Sequence, residues 1–170
     1  AYANISGATT ANVETLDMNS NATTMTSAQY NQFTTVSNPA AAVLSDAGTV
    51  ALNTNIVSVT LANGTNGLTA SSSAADYVIV GGTGADTFNI GSEFYTTADT
   101  FDGVSGTDKV NITGNTALTD ASFSTNSFNN TDEVTFANTT TGVAWTTDAD
   151  GDIDGAFKFD AESLTTGVLT

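Results

Sequence analysis

Apolar and polar residues alternate along this chain in short bursts. Asn12 to Met18 (NVETLDM), Val50 to Leu61 (VALNTNIVSVTL), Tyr77 to Val80 (YVIV), Asp86 to Ile90 (DTFNI), Asp108 to Ile112 (DKVNI) and Glu133 to Phe136 (EVTF) are rich in β-branched residues and often place an apolar residue at every second position. A period of two sends alternate side chains to opposite faces, so these stretches predict strands. Gly, Asn and Asp stand between them. ANGTNG at 62–67, GGTG at 81–84 and DADGDIDG at 148–155 predict turns that need positive φ. Helical periodicity is scarce. The best candidate is Thr26 to Phe33 (TSAQYNQF), capped by Thr26 or Ser27, with Ala28 and Phe33 facing inward. Ser37 to Ala47 holds the only proline, Pro39, followed by three alanines, and reads as a loop, with a link between sub-blocks 1–47 and 48–170 as the alternative.

Many short strands with regular punctuation predict an all-β chain: a solenoid, a roll or a sandwich. At 170 residues, one elongated domain is the expectation. A faint repeat supports stacking. Asn12-Val13-Glu14-Thr15-Leu16-Asp17-Met18 overlays Asn130-Thr131-Asp132-Glu133-Val134-Thr135-Phe136 with an acid at the third position and apolar residues at the fifth and seventh. An Asn/Thr-rich stretch follows each copy, as in coils that bury each other's apolar faces along one axis.

Charge narrows the range of partners. Eighteen acids against two bases, Lys109 and Lys158, give a formal charge of -16. Two lysines cannot build the basic footprint that phosphate binding requires, so nucleic acid is excluded and anionic membrane surfaces are disfavoured. Acids in such excess must be spread out, screened, or neutralised by bound metal. With neither cysteine nor histidine, thiolate sites, disulfides and the usual transition-metal ligands are absent. The ligand set that remains is oxygen, which suits Ca2+. No apolar run approaches the roughly 18 residues that would span a bilayer, and no basic-apolar leader opens the chain at Ala1. The expectation is a soluble chain, either mature or a fragment.

The informative segment is Val78 to Gly114. Within it, Gly81-Gly82-Thr83-Gly84-Ala85-Asp86-Thr87-Phe88-Asn89 fits the calcium-binding pattern G-G-x-G-x-D-x-U-x at every specified position, U being a large apolar residue. The glycines allow positive φ and turn carbonyl oxygens toward one point, the aspartate adds a carboxylate, and the apolar residue enters the core. In the same register, Gly103-Val104-Ser105-Gly106-Thr107-Asp108-Lys109-Val110-Asn111 repeats the pattern with Val104 in place of the second glycine. A β-branched residue resists positive φ, which predicts a half-site that binds weakly or only packs. The spacing suits two successive coils.

Val78 to Gly114 resembles the hemolysin-type calcium-binding repeats, or RTX proteins, in this nonapeptide and in the cadence GADTF, TADTFDG and GTDKVNITG, followed at 116–123 by TALTDASF, which is similar to repeats of large secreted bacterial surface proteins. The resemblance implies a parallel β-solenoid or irregular β-roll with calcium held between turns. It implies that Gly82, Gly84, Asp86, Gly106 and Asp108 line a calcium site, that Phe88 and Val110 pack inward, and that Asp99 and Asp102 stand where further aspartates are placed. A β-sandwich with calcium-binding loops is the alternative fold.

Asp148, Asp150, Asp152 and Asp154 crowd a second acidic run. It reads either as a further calcium loop or as a solvated turn, and it is not an EF-hand, because Gly151 comes too early and Glu162 is misplaced. Nothing marks a catalytic carboxylate among Glu14, Glu93, Glu133 and Glu162, and the serines lack a histidine base. Sequons such as Asn111-Ile112-Thr113 follow from an Asn/Thr-rich composition, and Trp145 reads as core or interface packing. The expectation is therefore a non-enzymatic, extracellular, calcium-binding structural protein that assembles with itself into a bacterial surface layer, sheath or filament. Two alternatives remain: a module of a large adhesin with a glycan ligand, and the calcium-dependent export tail of a secreted enzyme or toxin.

Overall fold

The computed structural model describes residues 3–52, 56–70, 76–114 and 127–136, with the backbone of 158–160. The chain is a parallel β-solenoid. One sheet collects β1 (Ala3–Asn4), β3 (Thr23–Met25), β5 (Ala42–Leu44), β7 (Ser58–Thr60), β9 (Val78–Val80), β11 (Thr100–Asp102) and β13 (Phe128–Asn129) in that order. A second collects β6 (Thr49–Ala51), β8 (Gly67–Ala70), β10 (Thr87–Gly91), β12 (Lys109–Thr113), β14 (Glu133–Phe136) and β15 (Lys158–Asp160). A third, small sheet pairs β2 (Thr15–Asp17) with β4 (Thr35–Ser37). From β5 to β14 the chain visits the two larger sheets alternately, and every described pairing is parallel. Such winding overturns the sandwich alternative.

Period-two alternation points one side-chain column of each sheet inward. On the first sheet the register aligns Ala42, Val59, Ile79, Phe101 and Phe128. On the second it aligns Val50, Leu68, Phe88, Val110 and Val134. All ten are buried, and Phe88 and Phe128 flank Phe101 with centroids 5.8 and 6.2 Å away. The first column grows from Ala to Phe as the coils lengthen. Equivalent turn residues stand 20, then 22, then 24 residues apart.

Helix α1 (Ser27–Gln32) replaces a strand in the early coils. Thr26 caps it: its hydroxyl accepts the Gln29 amide, and the Gln29 side-chain oxygen accepts the Thr26 N–H, a reciprocal capping box. Ser27, Gln29 and Tyr30 face the interior and Ala28 faces solvent, contrary to the expected inward position of Ala28, whereas Phe33 at the C-cap is buried as expected. The helix lies on the open edge of β6. Asn31 donates to the Thr49 carbonyl at 2.7 Å and accepts the Ala51 N–H at 2.9 Å, occupying backbone groups that would otherwise template another strand. Asn31→Ala is expected to cost about 1–3 kcal/mol, two hydrogen bonds at about 0.5–1.5 each, and to raise thioflavin-positive aggregation on mild heating. A variant as soluble and stable as the parent would remove this role.

Ser37 to Ala47, expected as a loop, contains β5, and the expected strand Val50 to Leu61 is divided between β6 and β7. The seven-stranded sheet runs across position 47, because β5 pairs with β7.

Candidate functional site: a stacked glycine and aspartate corner

The motif residues lie where the chain leaves the seven-stranded sheet and enters the six-stranded one. Residues 81–86 join β9 to β10, and residues 103–108 join β11 to β12 one coil further on. Thr83 and Ser105 form a parallel bridge, and the Gly84 N–H donates to the Ser105 carbonyl at 2.9 Å. Gly82, Gly84, Asp86, Asp102, Gly106 and Asp108 thus share one corner of the solenoid.

Two columns run through it. The first is glycine: Gly64, Gly84 and Gly106, on successive coils, have φ of +118°, +140° and +144°. A Cβ on Gly84 would stand 2.6 Å from the Gly64 carbonyl oxygen, and one on Gly106 would collide with the Gly84 carbonyl oxygen. Both the left-handed backbone and the close stacking require glycine here.

The second column is acidic. The Asn66 N–H donates to Asp86 Oδ1 at 3.0 Å, the Asp86 N–H to Asp108 Oδ1 at 2.8 Å, and the Asp108 N–H to Asp132 Oδ2 at 2.7 Å. Each side chain satisfies the amide of its counterpart on the preceding coil, a ladder along the axis independent of the strands. Charge-assisted acceptors of this kind are roughly twice as strong as neutral ones. Asn66, Asp132 and Asn130 belong to the corner although the motif did not reveal them. The signal was present for two of them: Asn66 ends a Gly64-Thr65-Asn66 copy of the G-x-D spacing, and Asp132 precedes the alternating EVTF strand.

The two turns differ at the second glycine. In the first, the Gly82 N–H donates to Asp86 Oδ2 at 3.0 Å, so both Asp86 oxygens accept amides. Gly82 has no positive φ; glycine is needed because a Cβ would collide with the Ala62 carbonyl oxygen. In the second turn Val104 adopts positive φ, +69°, the conformation that a β-branched residue resists. Its N–H donates to Asp102 Oδ1 at 2.9 Å, and Asn130 Nδ2 donates to the same oxygen at 2.8 Å. This local acceptor holds the strained backbone, at a cost of about 1–2 kcal/mol. Asp108, fully buried, is left with Oδ2 lacking a hydrogen-bond partner among the described residues.

No protein-family model, curated protein or solved structure matches the chain. The chemistry of the corner therefore rests on its own atoms. Among the described residues no three acidic side chains converge as a preformed metal cage. The donors here are one orphaned carboxylate oxygen and backbone carbonyls, the oxygen set that a hard cation accepts.

Asp99 is not part of this corner. It lies between β10 and β11, at the opposite edge, where its two oxygens accept the Tyr77 N–H at 2.6 Å and the Thr96 N–H at 2.7 Å. It serves as a turn anchor. The run containing Asp148, Asp150, Asp152 and Asp154, with Trp145, lies outside the described residues. Phe88 and Val110 pack inward as expected.

Burial raises the Asp99 and Asp108 carboxyls above the ordinary range. Amide donors from Tyr77 and Thr96 oppose the shift at Asp99 and the Asp86 amide opposes it at Asp108, while neighbouring carboxylates reinforce it at both. Asp17, exposed, is lowered, chiefly by Asn38 and the Asn19 amide. For the raised pair the folded chain binds protons more tightly than the unfolded chain, so stability falls as pH rises through their folded values. In metal-free buffer with trimethylamine N-oxide to hold the fold, the melting temperature is expected to increase as pH is lowered from 7 toward the ordinary carboxylate value of about 3.9, with the Asp17 contribution lost only below that. A melting temperature that falls steadily from pH 7 to 5 would contradict this sign.

Proposed function

We propose that this chain is a secreted structural protein of a bacterial cell surface that is ordered by calcium and assembles with copies of itself into a layer, sheath or filament. The observation that carries the calcium reading is the buried, unpartnered Asp108 oxygen in a corner crowded by Asp86, Asp102 and Asp132. Leaving a buried charged acceptor unsatisfied is costly unless a cation or proton joins it. The resemblance of Val78 to Gly114 to RTX repeats supports the same ion.

A structural role is supported by how the described side chains are used. Large apolar groups line the inward columns, whereas the outward columns of the six-stranded sheet are polar, as in Thr69, Asn89, Asn111 and Thr135. Asn111 Nδ2 donates to Asn89 Oδ1 at 2.8 Å along this face, and Lys109 pairs with Glu133 at 2.9 Å beside it. A shallow depression lined by Pro39, Ala40, Ala41, Val57 and Ser58 presents no titratable group. Calcium binding that exists only in the folded state adds to folding free energy by mass action, so low calcium inside the cell keeps the acidic chain expanded and higher calcium outside orders it.

The test is a calcium titration of chelator-stripped protein followed by circular dichroism and light scattering, with electron micrographs at the end point. β-Signal and scattering that rise together, with ordered polymers, are expected. A stripped chain that is already fully β and stays monomeric at millimolar calcium would overturn the reading.

A further inference from the structure

We infer that the corner's cation-binding carboxylate is Asp108, in the imperfect turn, and not Asp86, in the turn that matches the motif completely. This rests on the calcium reading above and assigns it to particular atoms. The two turns are near copies, so the difference between them isolates the cause. In the first turn glycine at position 82 leaves the amide free to donate to Asp86 Oδ2, and the carboxylate is satisfied by Gly82, by the Asn66 N–H and by Asn66 Nδ2 at 2.8 Å. A cation at Asp86 would have to displace protein donors from both oxygens.

In the second turn Val104 takes left-handed φ and directs its N–H to Asp102 Oδ1. The amide that would close Asp108 is withdrawn, and Oδ2 remains buried without a partner. Gly103 lies hard against this oxygen: a Cβ there would collide with both Asp108 Oδ2 and the Asn130 carbonyl oxygen, so glycine keeps a side chain from coming between them. One carboxylate oxygen and one carbonyl oxygen therefore converge on the same cradle, in the field of Asp86, Asp102 and Asp132. These are the ligand types of a hard divalent cation, with water completing the shell. On this account the departure from the motif creates the site.

Amide chemical shifts of chelator-stripped 15N-labelled protein, held folded by trimethylamine N-oxide and followed as calcium chloride is added, separate the two turns. The Asp86 amide reports on Asp108 Oδ1, to which it donates; the Gly82 and Asn66 amides report on Asp86. Saturable movement of the Asp86 and Gly103 amides is expected, with those of Gly82 and Asn66 nearly still. Val104→Gly, which relieves strain and returns an amide to Asp108, is expected to weaken the site reported by the Asp86 amide at least tenfold while the rest of the spectrum stays native. Gly103→Ala is expected to abolish it. Movement of the Gly82 and Asn66 amides alone would overturn this assignment and leave the calcium reading standing. Undiminished affinity in Val104→Gly would do the same. No movement in either turn would overturn both.

Discussion

Phe101→Ala is expected to destabilise the solenoid by about 3–5 kcal/mol, the range for emptying a fully buried aromatic site. Phe101 has no solvent exposure and sits in register between Ile79 below and Phe128 above, with Phe88 reaching it from the facing sheet. Coils joined by backbone hydrogen bonds to both neighbours cannot collapse into the hole without breaking those ladders, so most of the cavity persists. Against a typical total stability of about 5–15 kcal/mol, this is a large share. Urea denaturation checks it, with Val78→Ala as the comparison: Val78 is on the adjacent strand of the same sheet, faces outward and is 45% exposed, so its loss should stay within about 0.5 kcal/mol. A Phe101→Ala cost below about 1 kcal/mol would mean that the core is not stacked in this register.

Gly106→Ala is expected to cost roughly 2–6 kcal/mol through two separate penalties. An L-residue at φ +144° is strained by about 1–3 kcal/mol, and a Cβ driven against the Gly84 carbonyl must pry the two coils apart, at about 1–3 more. Gly7→Ala provides the contrast, since a Cβ there would meet nothing within 4 Å and Gly7 has no positive φ. Thermal unfolding of the two variants side by side decides the matter. If Gly106→Ala melts with Gly7→Ala, the corner is not close-stacked.

The strands legible in the sequence were those with their own alternating pattern. β9, β10, β12 and β14 hold Val, Ile, Phe or Lys-Val-Asn-Ile runs whose periodicity needs no partner. β3 (TTM), β8 (GLTA), β11 (TFD) and β13 (FN) were not legible, because two to four residues of Thr, Gly or Asn show no periodicity of their own and become strands only when a neighbouring coil supplies the ladder. The corner followed the same logic. The two turns that match the motif were visible at a spacing of 22 residues, but the neighbouring rungs at 20 and 24 were hidden because each coil is longer than the one before. Asp99 was misplaced because a buried turn aspartate looks the same in sequence at either edge. The roles of Gly82 and Val104 were inverted for a similar reason: whether a position needs glycine for φ or for clearance depends on what the next coil puts above it.

The direction of the hydrogen bonds has a mechanical consequence. In this fold the strand ladders and the Asn66–Asp86–Asp108–Asp132 rungs run along the long axis. Tension applied along that axis loads the coil-to-coil junctions in series, and the weakest junction yields first. Each coil that peels away releases about 20 to 24 residues, a contour length of roughly 70–85 Å at about 3.5 Å per residue. Under load the molecule behaves as a stepwise extensible spring whose force peaks record the strength of each rung, and a cation shared by Asp108 and the Asn130 carbonyl would stiffen the step between the coils that carry Asp108 and Asp132.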